Sequence, residues 1–568
     1  MCPPSDQLDD VAAARREPWP AELRARVRRR AGSDDRYRWW VLAVVLVGLF
    51  SVNVLFTVFV VALPSVAQGL HTSLPTVTWV VTGPMLAYAV FAPIAGKAGD
   101  RLGHRRLYLT ALAANLGIAL LSATAPSVGV LITARVLGGL DGAALGATSM
   151  ALVLGAFAKG DRVKAMGWWS LVGAGGPVVG VAVGGFIIQS IGWRWMFMLE
   201  LGIGVVALVL AAIVLPEFAV GRGPGSHAGR RVDVAGAVFV VLGVGSLLFA
   251  LNRAPVLGWG SSTVVGAFAL AAVALATLVP VELRAEDPLV PLRWLRRRNF
   301  AFPIGAQMGA NFAYMGGFFL APLILEQVYG KGESAAGLLV IPRPLTFSLC
   351  APIAGYVAVR VGERTTAVTG TLAVFVSMLV FAMTGHDTGV ALVEVGLVLS
   401  GIGMGVSSPS LGASVANAVE QDSLGTASAT QQLMAQIATI SGIQVMQTVQ
   451  SARARMPGVS LLDSFHTAYL VGAAVALGGV ACAALLRSTD RRQTALEPGA
   501  PRIGTERVPA LAGVDGMGEL LAADADGLAG RALPDQAILD QAMLDQAMLD
   551  DGFPAPGAAG TGRAGPRR

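Results

Sequence analysis

Apolar residues in this chain form long runs, separated by short stretches rich in arginine, glycine and proline. Fourteen of these runs are long enough to cross the apolar core of a bilayer as a helix, which takes about 20 residues. They cover approximately residues 39–66, 75–96, 107–125, 128–157, 166–190, 193–218, 233–252, 261–282, 301–327, 335–358, 365–384, 389–413, 425–449 and 466–487. This pattern predicts an all-α polytopic membrane protein with 14 transmembrane helices.

The composition agrees with a membrane protein. The mean hydropathy over 568 residues is +0.63, and only 14% of the residues are charged, whereas soluble domains carry about a quarter. The three cysteines lie far apart and form no disulfide or metal-binding pattern. Nucleotide-binding and hydrolase motifs are absent from the sequence. We therefore expect a protein that is not an enzyme and that holds no cofactor or metal.

Lys and Arg are distributed unevenly between the loops. Seventeen lie in loops after even-numbered runs and five in loops after odd-numbered runs. Cytoplasmic loops carry such an excess, so the even-numbered loops and both termini are predicted to be cytoplasmic, in a multi-pass protein of the plasma membrane. The net charge of +6 thus indicates orientation in the lipid bilayer and not nucleic-acid binding.

A phrase repeated in the sequence predicts how the helices are organised. APIAG occurs at 92–96 and again at 351–355, each time followed by Arg, Gly and Arg at the same spacings. The phrase closes the second run and the tenth, so runs one to six (39–218) and nine to fourteen (301–487) are predicted to be two parallel six-helix bundles. Residues 219–300 then form an inserted two-helix segment with cytoplasmic loops. Two such repeats with a site between them are typical of secondary transporters.

The two terminal segments are predicted to lie outside the bundles. Residues 1–38 are charged and precede an apolar run too long for a cleavable signal, which indicates a cytoplasmic N-terminal arm. Residues 488–568 lose hydrophobicity and contain a five-residue repeat at 535–549. This composition predicts a disordered cytoplasmic tail.

The loop after the second run combines one acid with several cations and two glycines. Its candidate residues are Gly96, Asp100, Arg101, Gly103, Arg105 and Arg106. An acid is not needed for topology, so we predict a conformational latch that pairs with the ends of helices in the other bundle in one state and releases them in the other. The alternative is an ordinary basic loop. The second copy has Val359 in place of the acid, so the N-terminal latch is expected to dominate.

The fifth run contains small residues at helical spacings together with a proline. These residues are Gly176, Pro177, Gly180, Gly184 and Gly185. Glycines four residues apart let helices approach closely in lipid, and an internal proline can bend a helix. The motif therefore predicts close helix packing, a general role that is compatible with a functional one.

Ionisable residues inside the predicted helices are candidates for coupling. Such residues usually face a cavity or a partner, because they are costly in lipid. Arg135 and Asp141 share the fourth run, about 9 Å apart along the axis and about 120° apart around it, so they can border one cavity without pairing directly. Asp141 lies near the middle of its helix and is the first candidate for a proton carrier. A structural ion-pair role is the alternative.

A further set of polar and charged residues is predicted to line a substrate cavity. Arg343 lies between two prolines, where the helix is expected to be irregular, and the glutamines of the thirteenth run fall on one stripe. Interhelical hydrogen bonding is the alternative for this stripe. The candidate cavity residues are Arg343, Gln432, Gln436, Gln447, Glu200 and Glu394.

Taken in order, these motifs resemble those of the major facilitator superfamily, specifically its fourteen-helix drug:proton antiporter family (the EmrB/QacA type), over residues 39–487. The loop after the second run and the glycine motif of the fifth carry part of the resemblance. The rest is carried by Arg135, Gly139 and Gly142, by WRWMF at 193–197, by ALP at 62–64 and by WVVT at 79–82.

The resemblance implies the major facilitator fold and export of hydrophobic or amphipathic, drug- or antibiotic-like organic compounds by proton antiport. It also implies protons as the coupling ion, and we expect a monomer. One position departs from the pattern, because Leu55 stands where the family usually has an acid. A carrier of the same superfamily for metabolite uptake or facilitated diffusion is the alternative.

Overall fold

The structure is a computed structural model that describes residues 34–216, 233–385 and 389–487. Within them, side chains are described except at 34, 55–61, 74–75, 181–183, 185–186, 189 and 333–334. Fourteen long helices account for most of this part of the chain. They are α1 (Asp34–Gly69), α2 (Trp79–Leu102), α3 (His104–Ala123), α4 (Val128–Ala156), α5 (Arg162–Ser190), α6 (Arg194–Val214), α7 (Val234–Leu257), α8 (Ser262–Arg284), α9 (Arg298–Gln327), α10 (Pro342–Val361), α11 (Glu363–Ala382), α12 (Gly389–Asn417), α13 (Leu424–Ala454) and α14 (Leu461–Ala484).

Each predicted apolar run coincides with one of these helices. Within the described residues, 12 helical stretches are long and apolar enough to cross a membrane; α5 and α13 are not among them. Helix α13 is the most polar, with six glutamines, and it packs against α2, α4, α9 and α14. Its polar side chains therefore meet protein on several sides, as polar groups at membrane depth require.

The packing of the helices repeats along the chain. In the first half, α1 packs on α5 and α6, α3 packs on α4 and α6, and α2 packs on α4. The same pairs recur eight helices later: α9 packs on α13 and α14, α11 on α12 and α14, and α10 on α12. We call α1–α6 the N-terminal half and α9–α14 the C-terminal half. The packing pairs do not test the residue limits that the sequence predicts for each domain, and these limits stay predictions.

The same backbone turn follows the repeated APIAG phrase, seven residues after its end, in both halves. Gly103 and Gly362 each adopt φ = 95°, a left-handed conformation that glycine tolerates at no steric cost. Each glycine ends one helix and starts the next, between α2 and α3 and between α10 and α11. The repeat thus encodes a tight turn that both halves need at one end of the bundle.

The two halves contact each other through a small set of helices. Helix α2 packs on α13 and α5 packs on α10, with further contacts of α4 with α13 and of α5 with α12. Helices α7 and α8 pack on each other, and α7 also lies against α2 and α13. The inserted segment therefore touches both halves where they meet.

A break precedes α10, as the two prolines around Arg343 predict. A short helix, Glu333–Leu339, ends before α10 begins at Pro342. The arginine lies in the first turn of α10, just beyond this interruption. Proline fits there because the first N–H groups of a helix have no partner within it.

Candidate functional site

Asp100 joins the end of α2 to the start of α13. Its side chain is fully buried, and its two oxygens accept hydrogen bonds from the backbone N–H of Gly425 (2.9 Å) and of Thr426 (2.8 Å), and from the Thr426 hydroxyl (2.5 Å). A carboxylate at a helix N-terminus satisfies orphan N–H groups and complements the helix dipole. An acid of the N-terminal half thus caps a helix of the C-terminal half.

The close approach of α2 and α13 depends on Gly96. A Cβ atom added there would lie 2.3 Å from the Cβ atom of Ala429 and 2.5 Å from the carbonyl oxygen of Gly425. Both distances are shorter than any real contact, so only glycine fits this crossing. The small residue of the predicted latch therefore permits the contact that the acid stabilises.

The cations of the predicted latch face different partners. Arg105 donates to the carbonyl oxygen of Ala212 at the end of α6 (3.1 Å), within the same half. Arg101 donates to Asp287 (2.6 Å), in the connection between α8 and α9. Arg106 is exposed.

A second link between the halves lies at the position related by the repeat. Val359 packs in an apolar cluster with Val163, Ala358 and Ala413. Beside it, Arg162 at the start of α5 donates to the carbonyl oxygen of Ala416 (3.0 Å) and to Asn417 Oδ1 (3.2 Å) at the end of α12. Here the N-terminal half donates to a helix C-terminus, which is the electrostatic complement of the first link.

Glu363 stabilises this second link through Asn417, the residue that also accepts a hydrogen bond from Arg162. Its carboxylate accepts hydrogen bonds from Ser414 Oγ (2.7 Å) and Asn417 Nδ2 (3.2 Å). The motif comparison missed this acid because it stands four residues after Val359, on α11. The sequence feature that could have identified Glu363 is an acid at the start of a helix, directly after the turn glycine of the second copy.

Apolar side chains from both halves form a layer deeper in the bundle. Met150, Leu154 and Met166 of the N-terminal half pack with Val415 and Ala427 of the C-terminal half. Deeper still, Ser348 donates to the carbonyl oxygen of Leu171 (2.8 Å), and Tyr88 donates to Gln432. These links begin at the end of the bundle that carries Asp100 and Arg162, which is the predicted cytoplasmic end, and they close it.

Three ionisable side chains, those of Arg135, Asp141 and Glu200, lie together inside the N-terminal half. We call this buried group of residues the compartment. Asp141 and Glu200 are both buried, and their charges lie close enough to interact. Glu200 accepts a hydrogen bond from Asn115 Nδ2 (3.3 Å) and interacts with the charge of Arg135. Arg135 also lies over the ring of Phe197 (6.0 Å). Glu200, predicted to line a substrate cavity, is thus placed beside the predicted coupling residues.

Arg343 lies inside the C-terminal half. It is completely buried, stacks on the ring of Tyr314 (3.8 Å) and donates to the carbonyl oxygen of that residue. A Cβ atom at Gly401 of α12 would touch the Arg343 carbonyl oxygen. These contacts lie between α9, α10 and α12, whereas Ser348, five residues on, faces α5 in the other half.

The other predicted cavity residues are dispersed. Gln432 bridges the halves through Tyr88, whereas Gln436 and Gln447 are half-buried further along α13. On the same helix, Gln450 donates to Ser464 of α14 (3.1 Å), which is interhelical hydrogen bonding within one half. Glu394 is half-buried near the start of α12.

The glycine motif of α5 allows contacts on two sides. A Cβ atom at Gly176 would lie 3.0 Å from the Cβ atom of Asn53 on α1, and one at Gly175 would lie 2.5 Å from Ser348 Oγ on α10. Pro177 lies inside the helix, and Gly180 and Gly184 are buried. The surroundings of Gly185 lie outside the part of the chain that the structure describes. Close packing of α5, which the motif predicted, is present at Gly176.

The family model of the Major Facilitator Superfamily matches residues 45–443 and 306–521. The chain belongs to the major facilitator superfamily. It is 31% identical over 369 residues to the tetracenomycin C resistance and export protein of Streptomyces glaucescens, covering 64% of this chain and 67% of the relative. It is also 31% identical over 310 residues to the multidrug export protein EmrB of Escherichia coli K12, covering 54% and 59% of the two chains.

Solved structures show the same fold. The human organic anion transporter MFSD10 (TETRAN) superposes with a TM-score of 0.58 at 17% identity, covering 78% of this chain and 99% of that one. At this identity the likeness concerns the fold alone. The major facilitator fold and the resemblance to the EmrB type, both predicted from the sequence motifs, are confirmed.

Proposed function

We propose that this protein exports hydrophobic or amphipathic organic compounds, drug- or antibiotic-like in size and chemistry, by proton antiport and alternating access. Relatives named for tetracenomycin C export and multidrug export support the substrate class. The observation that carries alternating access is the cap that Asp100 places on α13 of the opposite half. Such a cap holds one end of the bundle closed and must break when that end opens.

The protein acts as a monomer in the plasma membrane, with both termini in the cytoplasm. The links through Asp100 and Arg162 then close the cytoplasmic side. Substrate from the cytoplasm or the inner leaflet enters when both links break, and it leaves on the opposite side when they re-form. No covalent step is required, because carriers of this superfamily move a substrate without changing it.

The buried charges of the N-terminal half supply the coupling. If Asp141 and Glu200 were both ionised, the compartment would hold two negative charges and the one positive charge of Arg135. Unpaired charges are costly in a low-dielectric interior, and two carboxyls that share a site resist ionising together. The pair therefore retains one proton when the compartment is closed, and this is the proton that is exchanged.

The test uses inside-out vesicles with an imposed pH gradient and a lipophilic dye or a tetracycline-like compound as the probe. The wild-type protein is expected to accumulate the probe until a protonophore collapses the gradient. Asp141→Asn and Glu200→Gln keep the side-chain shape, but each removes one of the two carboxyls that share the exchanged proton, so uphill accumulation is lost while downhill exchange persists.

One control variant makes the result specific. Asp463→Asn removes an exposed acid at the start of α14, outside the compartment, and is expected to pump as the wild type does. Uphill accumulation by both Asp141→Asn and Glu200→Gln at the wild-type rate would place coupling elsewhere. If no probe of a broad panel is accumulated by the wild-type protein, the export proposal itself fails.

A further inference from the structure

The connection between α8 and α9 crosses the predicted cytoplasmic end of the bundle. We call residues 285–297 the strap; it links the inserted helices to the C-terminal half. The second of its two acids, Asp287, is buried, with 1% of the side chain exposed. The carboxylate pairs with Lys97 Nζ and with Arg101 Nη2 (2.6 Å) on α2. A strap residue thus binds the helix that carries the latch acid.

The strap is held in place at several points. The backbone N–H of Val290 donates to Glu282 Oε1 of α8 (3.1 Å), and Arg293 Nη2 donates to the carbonyl oxygen of Leu283 (2.7 Å). Leu289 and Val290 are buried in an apolar cluster that includes Leu433 and Ile440 of α13. The same cluster includes Ala89 of α2, so it does not by itself decide which helix the strap follows. The strap continues directly into α9, and its Arg297 Nη1 donates to the carbonyl oxygen of Ala418 (3.4 Å), just beyond the end of α12. The strap is therefore expected to move with the C-terminal half, which includes α13.

The charges of α2 explain why an acid is needed at this place. Lys97 and Arg101 lie one helical turn apart on α2, and Asp100 stands beside Arg101, capping the N-terminus of α13. The N-terminus of a helix carries a positive partial charge, and cations near it are unfavourable. Both cations are also mostly buried, with 8% and 13% of their side chains exposed. Without a counter-charge, they would oppose the approach of α13 that Asp100 promotes.

We propose that Asp287 is a second acid of the latch, supplied by the inserted segment, which neutralises Lys97 and Arg101 when the predicted cytoplasmic end closes. Opening moves α13 and the strap away from α2, so these ion pairs exist in the closed state and separate in the open one. The inserted helices thereby help to set the balance between the two states. The inference requires alternating access but no particular substrate or coupling ion.

The test measures how often the predicted cytoplasmic end is open, and it does not measure transport. A reporter cysteine replaces Ala427, which is 1% exposed in the apolar layer between the halves, in a background where Cys2, Cys350 and Cys482 are serine. Inside-out vesicles are treated with a membrane-impermeant maleimide, and the labelling rate is measured. Asp287→Asn is expected to raise this rate at least about ten-fold, because removing one partner of a buried ion pair strongly destabilises the state that contains it.

The matched control is Asp233→Asn, in the same inserted segment. Asp233 caps Gly236 N at the start of α7 (2.7 Å), and asparagine caps equally well, so labelling should stay at the wild-type rate. The triple variant Asp287→Asn with Lys97→Gln and Arg101→Gln removes the two cations together with their counter-charge, and it should slow labelling towards the wild-type rate.

Labelling of Asp287→Asn at the wild-type rate would overturn the proposal. If Asp287→Asn does not insert into the membrane, the triple variant decides: labelling near the wild-type rate supports the proposal, and labelling at least about ten-fold faster contradicts it. The assay contains no substrate and no pH gradient. Its failure would therefore leave proton-driven export standing, and failure of export would leave the role of Asp287 standing.

Discussion

Replacing Asp100 by asparagine probes the cap with the smallest possible change. Each oxygen of the carboxylate accepts from a backbone N–H of α13, and one also accepts from the Thr426 hydroxyl. The amide of asparagine has one oxygen only, so its NH₂ group must face a backbone N–H donor in either orientation. A donor that is left unsatisfied in this buried place costs about 1–3 kcal/mol. Loss of the negative charge at the helix N-terminus costs about 0.3–2 kcal/mol more.

The combined cost, about 3 kcal/mol, falls on the closed state alone, because the cap joins the two halves only there. It corresponds to a shift of roughly 100-fold in the ratio of closed to open protein, at about 1.4 kcal/mol per factor of ten. With the reporter cysteine at Ala427, Asp100→Asn should therefore be labelled from the predicted cytoplasmic side far faster than the parent protein. Transport should fall while insertion is unchanged.

Asp161→Asn is the control for this prediction. Asp161 is also an acid at a helix start, but it pairs with Arg38 and Lys164, all within the N-terminal half. The hydrogen bonds that its carboxylate loses lie within the N-terminal half, so the labelling rate should remain at the parent value. If Asp100→Asn is labelled no faster than Asp161→Asn, or transports at the full rate, the cap does not hold the bundle closed.

Two other predictions follow from the same geometry. Gly96→Ala should prevent closure, because its Cβ atom would collide with Ala429, and should raise maleimide labelling of the Ala427 reporter; Gly117→Ala, at an exposed helix position with no neighbour within 4 Å, should leave labelling unchanged. For topology, a cysteine at Gly223, outside the described residues, should label only from the cytoplasm, and one at Gly260, in the turn between α7 and α8, only from outside. The reverse pattern would contradict the predicted orientation.

Features that depend on one segment at a time could be predicted from the sequence. Fourteen apolar runs became fourteen helices, and the repeated APIAG phrase became the same glycine turn at Gly103 and Gly362. The acid at position 100 was singled out because topology alone does not require it. In each case the signal is local, since hydrophobicity, turn conformation and an unusual charge are written within a few residues.

Features that depend on two distant segments could not be predicted in this way. Asp287 lies in a polar loop 186 residues after Arg101, and nothing in its own surroundings distinguishes it from a solvated acid. Glu363 was not predicted, because the repeat relates Asp100 to Val359 on α10, whereas the second copy carries its acid at the start of the next helix, α11. The packing of Arg343 on Tyr314 within one half could likewise not be predicted, and its place in a substrate cavity stays a prediction. The rotation of each helix, which the sequence does not specify, decides these cases.

Helix α4 connects the proposed coupling compartment to the closed end of the bundle. Asp141 lies on it nine residues before Met150, which is about 14 Å along a helix, and Met150 belongs to the apolar layer between the halves. Helix α4 is unbroken between these residues, so a rotation or tilt imposed at one point is transmitted to the other. Loss of the shared proton would leave excess negative charge around Asp141 and favour movement of α6 relative to α4. Because the apolar layer includes Met150 and Leu154 of α4, a tilt of α4 in the proposed cycle would also loosen its contact with α13 and would couple proton release to opening.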